Sequence, residues 1–384
     1  MFSFSVILPF VIIPLYAVSL GATLFQTSLI IGIFWGTQSV TTVIMGALSD
    51  ILGKRKPFII FSLFGAAVIF LFISFISLPV VLILLMGLFG FVTAAFSPCV
   101  MGAVSELSSE AERGKSLGIL NTSTSLGWAI GSVLSGLITD IFSFLITFYV
   151  GCFLAILAGI LTLIFFKEIK IDRTKDRDFR TIFTTLKNQF LPGSGESTYL
   201  KQNGLNWFLV SMFLRYSAYW GSIALLTIFF ATLVSTSWIG ILLGINMGLQ
   251  GFLMAPIGKL SDKIGRKPLI TFGLIGTSIV LVLYAIAYDL YLLIATQLLL
   301  AVVFASIYTG GSAFVSDVTP KFKHNEAMGF LNSSITVGAV TGTILAGILA
   351  ELFGLREMFW ILAILPLLGT VIVLRKVRET IISF

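Results

Sequence analysis

This chain is poor in the residues most enzymes rely on. It contains one histidine, His324, and two cysteines, Cys99 and Cys152, in 384 residues. Both cysteines fall inside apolar stretches, where a thiol packs as a small hydrophobe, so no disulfide framework or metal-ligand spacing is formed. A zinc site or a histidine-dependent catalytic centre has little to build with, and no cofactor or metal is expected. Charge is scarce too. Asp, Glu, Lys and Arg make up 11% of the chain against 57% hydrophobic residues, and mean hydropathy is +1.07. A soluble domain carries about 25% charged residues, which excludes a water-soluble globular protein.

In place of charge there are apolar runs. About twelve segments are long enough to cross roughly 30 Å of hydrocarbon. They lie near 2–22, 28–48, 58–78, 80–103, 116–138, 143–166, 205–233, 238–258, 269–288, 291–314, 327–349 and 357–374, and are numbered spans 1 to 12. Met1 to Leu24 ends in small residues like a cleavable leader, but it lacks a basic start. The repeat described below pairs it with span 7 instead. Leu205 to Met212 then has no counterpart, so span 1 is expected to be short or to lack a few residues at the start.

The net charge of +7 is a topology signal and not a nucleic-acid footprint. Of the 24 basic residues, only Arg215, inside span 7, and Arg356, between spans 11 and 12, lie outside the even-numbered loops and the C-terminal tail. The positive-inside rule then puts both termini in the cytoplasm of a multi-pass cell-membrane protein. Asp140, Asp289, Glu351 and Glu357 occupy the opposite loops.

One charged phrase occurs twice. Gly46-Ala-Leu-Ser-Asp50-Ile-Leu-Gly53-Lys-Arg-Lys-Pro57 returns as Gly258-Lys-Leu-Ser-Asp262-Lys-Ile-Gly265-Arg-Lys-Pro268, with Asp50 and Asp262 standing 212 positions apart. In the same register Gly32, Gly36 and Gln38 meet Gly244, Gly248 and Gln250. After the phrase the offset is 211, and Glu106 meets Asp317, Asn121 meets Asn332, and Gly127 and Gly131 meet Gly338 and Gly342. One register held over a hundred residues means duplication: a six-span bundle over 1–166, a polar linker over 167–203, and a second bundle over 204–384. Within the linker, Ile182, Phe183, Leu186 and Phe190 would share one face of a surface helix over Thr181–Leu191.

The phrase Gly-x-Leu-Ser-Asp-x-x-Gly-Lys/Arg-Arg/Lys, set between spans 2 and 3 and again between 8 and 9, resembles the loop signature of the major facilitator superfamily. The resemblance covers essentially the whole chain. It implies an all-α membrane protein of twelve transmembrane helices, in two six-helix bundles related by a pseudo-twofold axis, with substrate bound near the midplane. The implied partners are a small-molecule substrate and membrane lipid, with a single chain as the working unit.

The charges of the phrase are oddly placed for their helices. Asp50 ends span 2 where the dipole is already negative, and Lys54, Arg55 and Lys56 open span 3 where it is positive. Both need partners from elsewhere. Glu106 suits the Lys54/Arg55 cluster, Asp50 can point at a helix N-terminus of the other half, and Asp262, Arg266 and Asp317 repeat the set. Gly46, Gly53, Gly258 and Gly265 suit tight turns and close backbone approach. By the resemblance these residues form a latch that favours the outward-facing state; the plain alternative is loop charges serving topology alone.

The resemblance also places a cavity among spans 1, 4, 7 and 10, with 2, 5, 8 and 11 at its sides. Polar and aromatic candidates there are Tyr16, Gln38, Thr93, Asn121, Trp128, Asn246, Gln250, Gln297, Tyr308 and Asn332, for which interhelical hydrogen bonding is the competing role. Arg215 is the one charge inside a span. With Tyr219 one turn on and Tyr216 and Trp220 beside it, it either faces a cavity, suiting an amphiphilic or anionic organic solute, or snorkels to the interface.

Drug–proton antiporters of the family carry an arginine in span 4, where this chain has Met86. Their span 5 glycine motif places a proline where this chain has Ser132. No carboxylate lies mid-span, so proton coupling is not indicated and facilitated diffusion stays open. The expected function is transport of a small organic solute by alternating access, with efflux favoured. The alternatives are an uptake carrier for a sugar or organic anion and, more distantly, a receptor or polytopic enzyme.

Overall fold

A computed structural model describes residues 1–109, 112–168, 203–320 and 323–380. The surface helix expected over Thr181–Leu191, and most of the linker, lie outside the described residues. Among the described residues the secondary structure is helical throughout, without strands. Among the described residues, eleven helical segments are long and apolar enough to cross a membrane. Span 5, Arg113–Ile141, is the twelfth: it has 29 residues, and the polar run Asn121-Thr-Ser-Thr-Ser125 lowers its hydropathy.

Three spans are broken, each for the same chemical reason. Span 1 is Phe2–Phe10 and Ile13–Ser19, span 4 is Pro79–Thr93 and Phe96–Leu107, and span 12 is Leu355–Leu362 and Ile364–Lys376. Proline has no N–H and its ring crowds the carbonyl four residues back. Those carbonyls belong to Phe10 (below Pro14), Ala94 (below Pro98) and Leu362 (below Pro366), which mark the three breaks. The remaining spans run Leu24–Leu52 (span 2), Lys56–Ile73 (3), Phe144–Phe165 (6), Leu205–Ala231 (7), Thr236–Ile264 (8), Arg266–Ile286 (9), Leu290–Val318 (10) and His324–Phe353 (11).

Several starts are capped as their sequences dictate. Thr23 and Gln26 form a capping box at span 2, while Ser143 and Asp289 accept backbone N–H bonds at spans 6 and 10. Such caps satisfy donors that lipid-facing helices cannot leave open.

The chain divides into two compact units: Met1–Thr184 with Ser235–Gly244, and Thr185–Val234 with Ile245–Phe384. Reading by halves puts Ser235–Gly244 in the second bundle, whereas its packing joins it to the first unit. The reason is small residues: a Cβ on Gly136 or Gly240 would run into the backbone of the other, so the two helices meet at closest approach.

Within each unit the paired glycines serve packing. Gly127 and Gly131 of span 5 lie against Ser3, Phe4 and Ile7 of span 1, and Gly338 and Gly342 of span 11 lie against Phe213 and Ser217 of span 7. This is the small-xxx-small contact, in which missing side chains let backbones approach.

Candidate functional site

The charged phrase folds into an arginine-centred cluster. Span 2 ends at Gly53, which takes a left-handed φ of 62°, so the chain reverses and returns Arg55 beneath the helix it has just left. Arg55 is only 6% exposed. Its Nη1 lies 2.7 Å from Asp50 Oδ1 and donates to Ser49 Oγ at 2.9 Å, and its Nη2 lies 2.7 Å from Glu106 Oε1. Burial opposes its charge, but the hydrogen bonds to Glu106 and Asp50 outweigh it and hold its pKa above the usual arginine value.

The expected Glu106 contact is therefore present, through Arg55; Lys54 stays exposed. Asp50 finds this partner within its own unit, because the Gly53 turn brings Arg55 back over the end of span 2. Gly102 makes room: a Cβ there would sit 3.0 Å from the guanidinium.

The second unit repeats the arrangement. Gly265 has φ 98°, Arg266 Nη1 lies 2.7 Å from Asp262 Oδ1, and Arg266 Nε lies 2.9 Å from Asp317 Oδ2. Two further carboxylates complete the pair. Glu168 Oε1 accepts from the backbone N–H of Arg55 at 2.9 Å and of Lys56 at 3.3 Å. Glu379 Oε1 accepts from Arg266 N–H, and its Oε2 from Lys267 N–H, both at 2.9 Å. These negative groups at the N-termini of spans 3 and 9 offset the basic residues that open those helices. Sequence reading missed both, although Glu168 and Glu379 stand in the same 211-residue register.

Close approach fails at two of the four glycines of the phrase. Gly46 is in ordinary contact with Pro98, and a Cβ on Gly258 would meet nothing within 4 Å. Only Gly53 and Gly265 have a conformation that needs glycine.

Most interior candidates are engaged with the protein. Tyr16 donates to the carbonyls of Ile73 and Ile76, closing the end of span 3. Gln38 donates to Thr93 Oγ1 at 3.2 Å across spans 2 and 4. Asn246 donates to the Gln297 carbonyl at 3.0 Å, and Gln250 donates to Asn246 Oδ1 at 2.6 Å. Asn121 and Trp128 lie on exposed faces of span 5, and Trp220 is half-buried beside Tyr219.

Arg215 does not snorkel. It is 0% exposed, inside the second unit. Its Nε donates to Thr277 Oγ1 at 3.3 Å, and its Cζ lies 4.4 Å from the Tyr216 ring centre and 4.5 Å from that of Tyr219. A pocket on the same unit is walled by Met212, Tyr216, Tyr308, Ser312, Met328 and Asn332. Tyr308 and Asn332 thus share one pocket, while Gln297 is fully buried elsewhere, its side-chain amide without a hydrogen-bond partner among the described residues.

The family model of the Major Facilitator Superfamily matches residues 1–239 and again 208–382. The chain belongs to the major facilitator superfamily. It is a membrane transporter and not an enzyme, and its Arg55 and Arg266 clusters are this superfamily member's two copies of the loop phrase. An uncharacterized MFS-type transporter of Methanocaldococcus jannaschii is 27% identical over 371 residues, covering 94% of this chain and 91% of that protein. The multidrug resistance protein MdtG of Proteus mirabilis is 33% identical over 143 residues, which is 37% of this chain and 35% of that protein. Among solved structures, the nucleoside transporter NupG has the same fold, with TM-score 0.74 at 15% identity, covering 97% of this chain and 96% of that one.

Proposed function

We propose that this superfamily member carries a small organic solute across the cell membrane by alternating access, with export the favoured direction. The observation that carries this reading is the pair of arginines, the buried Arg55 and the half-buried Arg266, each held between two carboxylates at equivalent turns. Topology needs basic residues in these loops, but it does not need Asp50, Glu106, Asp262 or Asp317. A cluster that must form and break with the transport cycle accounts for them, as a latch stabilising the outward-facing state. We take 1–166 and 204–384 as the two functional halves, 167–203 as their linker, and a single chain as the working unit. The basic loops put both termini in the cytoplasm.

Regional similarity to multidrug resistance proteins favours export. A second reading, a facilitator for uptake of a sugar or organic anion, draws on two features: mid-span carboxylates are missing among the described residues, and Arg215 is buried. Flux of labelled solutes in proteoliposomes, with and without an imposed pH gradient, separates the two. Concentrative flux that follows the proton gradient supports export by exchange, and equilibrating flux indifferent to it supports the facilitator. Absence of any flux across a broad solute panel overturns both.

A further inference from the structure

Arg215 is a fully buried cation with unfilled hydrogen-bonding capacity. Its Nη1 and Nη2 are both buried without a hydrogen-bond partner, and it forms no ion pair among the described residues. Among the described residues its Nε donates to Thr277 Oγ1 at 3.3 Å. The rings of Tyr216, Tyr219 and Phe304 lie 4.4, 4.5 and 5.4 Å from its Cζ. Aromatic faces attract the charge but do not accept the in-plane N–H bonds of a guanidinium. Arginine does not shed its proton, so the unit holds a permanent positive charge in its interior. Unpaired buried charge is strongly unfavourable unless something arrives to compensate it.

The pocket of the second unit sits one ring away. Tyr216 covers Arg215 and also walls that pocket, together with Met212, Met328, Tyr308, Ser312 and Asn332. The wall offers apolar and polarisable surface, hydroxyl and amide groups, and no charged side chain. A bound molecule therefore meets a neutral, adaptable surface with a fixed cation behind it.

We infer that this pocket takes an organic anion, an apolar body bearing one carboxylate or phenolate, and rejects organic cations of the same shape. The inference deepens the transport reading above and rests on it for the passage of the ligand, though not for its binding. At an effective dielectric near 20, two unit charges about 8 Å apart favour or penalise one another roughly thirtyfold according to sign.

Three probes of one shape test this: 2-naphthoate, 2-naphthamide and 2-naphthylmethylammonium. Each is measured for binding to the purified full-length protein in detergent and for flux in proteoliposomes. Naphthoate is expected to bind roughly thirtyfold more tightly than the amide, and the ammonium more weakly than either. In Arg215→Gln the carboxylate-to-amide ratio should fall to about one, with thermal melting as the check on folding. Asn332→Asp, which adds a negative charge to the pocket wall without touching the buried arginine, should move the preference toward the ammonium and covers the case in which Arg215→Gln does not fold.

Wild-type protein that binds the ammonium as well as naphthoate overturns the inference. So does failure of naphthoate to bind at millimolar concentration, or an unchanged ratio in a folded Arg215→Gln protein. Tight naphthoate binding without flux of any probe keeps the anion site, and the transport reading then falls only if the broad solute panel shows no flux either. Flux of the ammonium alone keeps the transport reading and removes the anion site.

Discussion

Glu168 closes the N-terminus of span 3 by accepting the backbone N–H of Arg55 at 2.9 Å, from 113 positions further along the chain. Glu379 and Arg266 repeat the contact at the same separation in the second unit. Each carboxylate thus holds in place the residue whose side chain forms the arginine cluster. Lys56 and Lys267 strengthen the joint by donating to the carbonyls of Leu163 and Leu374, near the ends of spans 6 and 12.

Truncation of either carboxylate should weaken its unit. Glu168→Ala and Glu379→Ala are each expected to cost about 1 kcal/mol, the usual worth of a helix cap, and to add in the double variant because the sites lie in separate units. Thermal melting in detergent reads this; a double variant that melts like the parent rules the caps out.

Asp50→Asn keeps the shape of the side chain and removes half the counter-charge of a buried arginine. A hydrogen bond to a charged group is worth about 1.5–3 kcal/mol, enough to shift a two-state equilibrium by an order of magnitude or more. Transport should slow and the carrier should shift away from its outward-facing state, as reported by cysteine accessibility on either side. Unchanged flux in a well-folded variant would remove the latch.

Two glycines with the same sequence logic should respond in opposite ways. A side chain at Gly342 would strike the Ser217 backbone of span 7, so Gly342→Val should cost about 1–3 kcal/mol or prevent assembly. Gly258→Ala meets open space and should change stability by less than about 0.5 kcal/mol. Equal effects in the two variants would show that backbone approach is not what Gly342 serves.

Tyr16→Phe separates glue from substrate contact. Loss of the bonds to Ile73 and Ile76 should lower stability by about 1 kcal/mol and leave the apparent KM for transport in place. A raised KM at unchanged melting temperature would return Tyr16 to the substrate cavity.

The membrane class, the spans, the duplication and the family were all legible in the sequence, because hydropathy and repeat register are carried by neighbouring residues and by fixed offsets. The Arg55–Glu106 and Arg266–Asp317 contacts were legible for the same reason. Glu168 and Glu379 were within reach of the repeat but carried no separate signal: each is one carboxylate just past an apolar run. The candidate cavity residues were legible as polar groups in apolar helices and not as contacts. Spacing along a helix says which face a side chain takes, not what packs against it.

By itself, then, the sequence determined a twelve-span, two-part transporter with one charge, Arg215, deep inside a span, since lipid leaves an apolar chain few other solutions. Tertiary structure decided the remaining partners. It turned Asp50 to Arg55 within one unit, committed Tyr16, Gln38 and Asn246 to neighbouring helices, and left Gly258 without a close contact. It also buried Arg215 among aromatic rings in place of letting it reach the interface. The bonds of Tyr16, Gln38, Asn246 and Arg215 to other helices join residues more than fifty positions apart, and such contacts are set by how the helices pack.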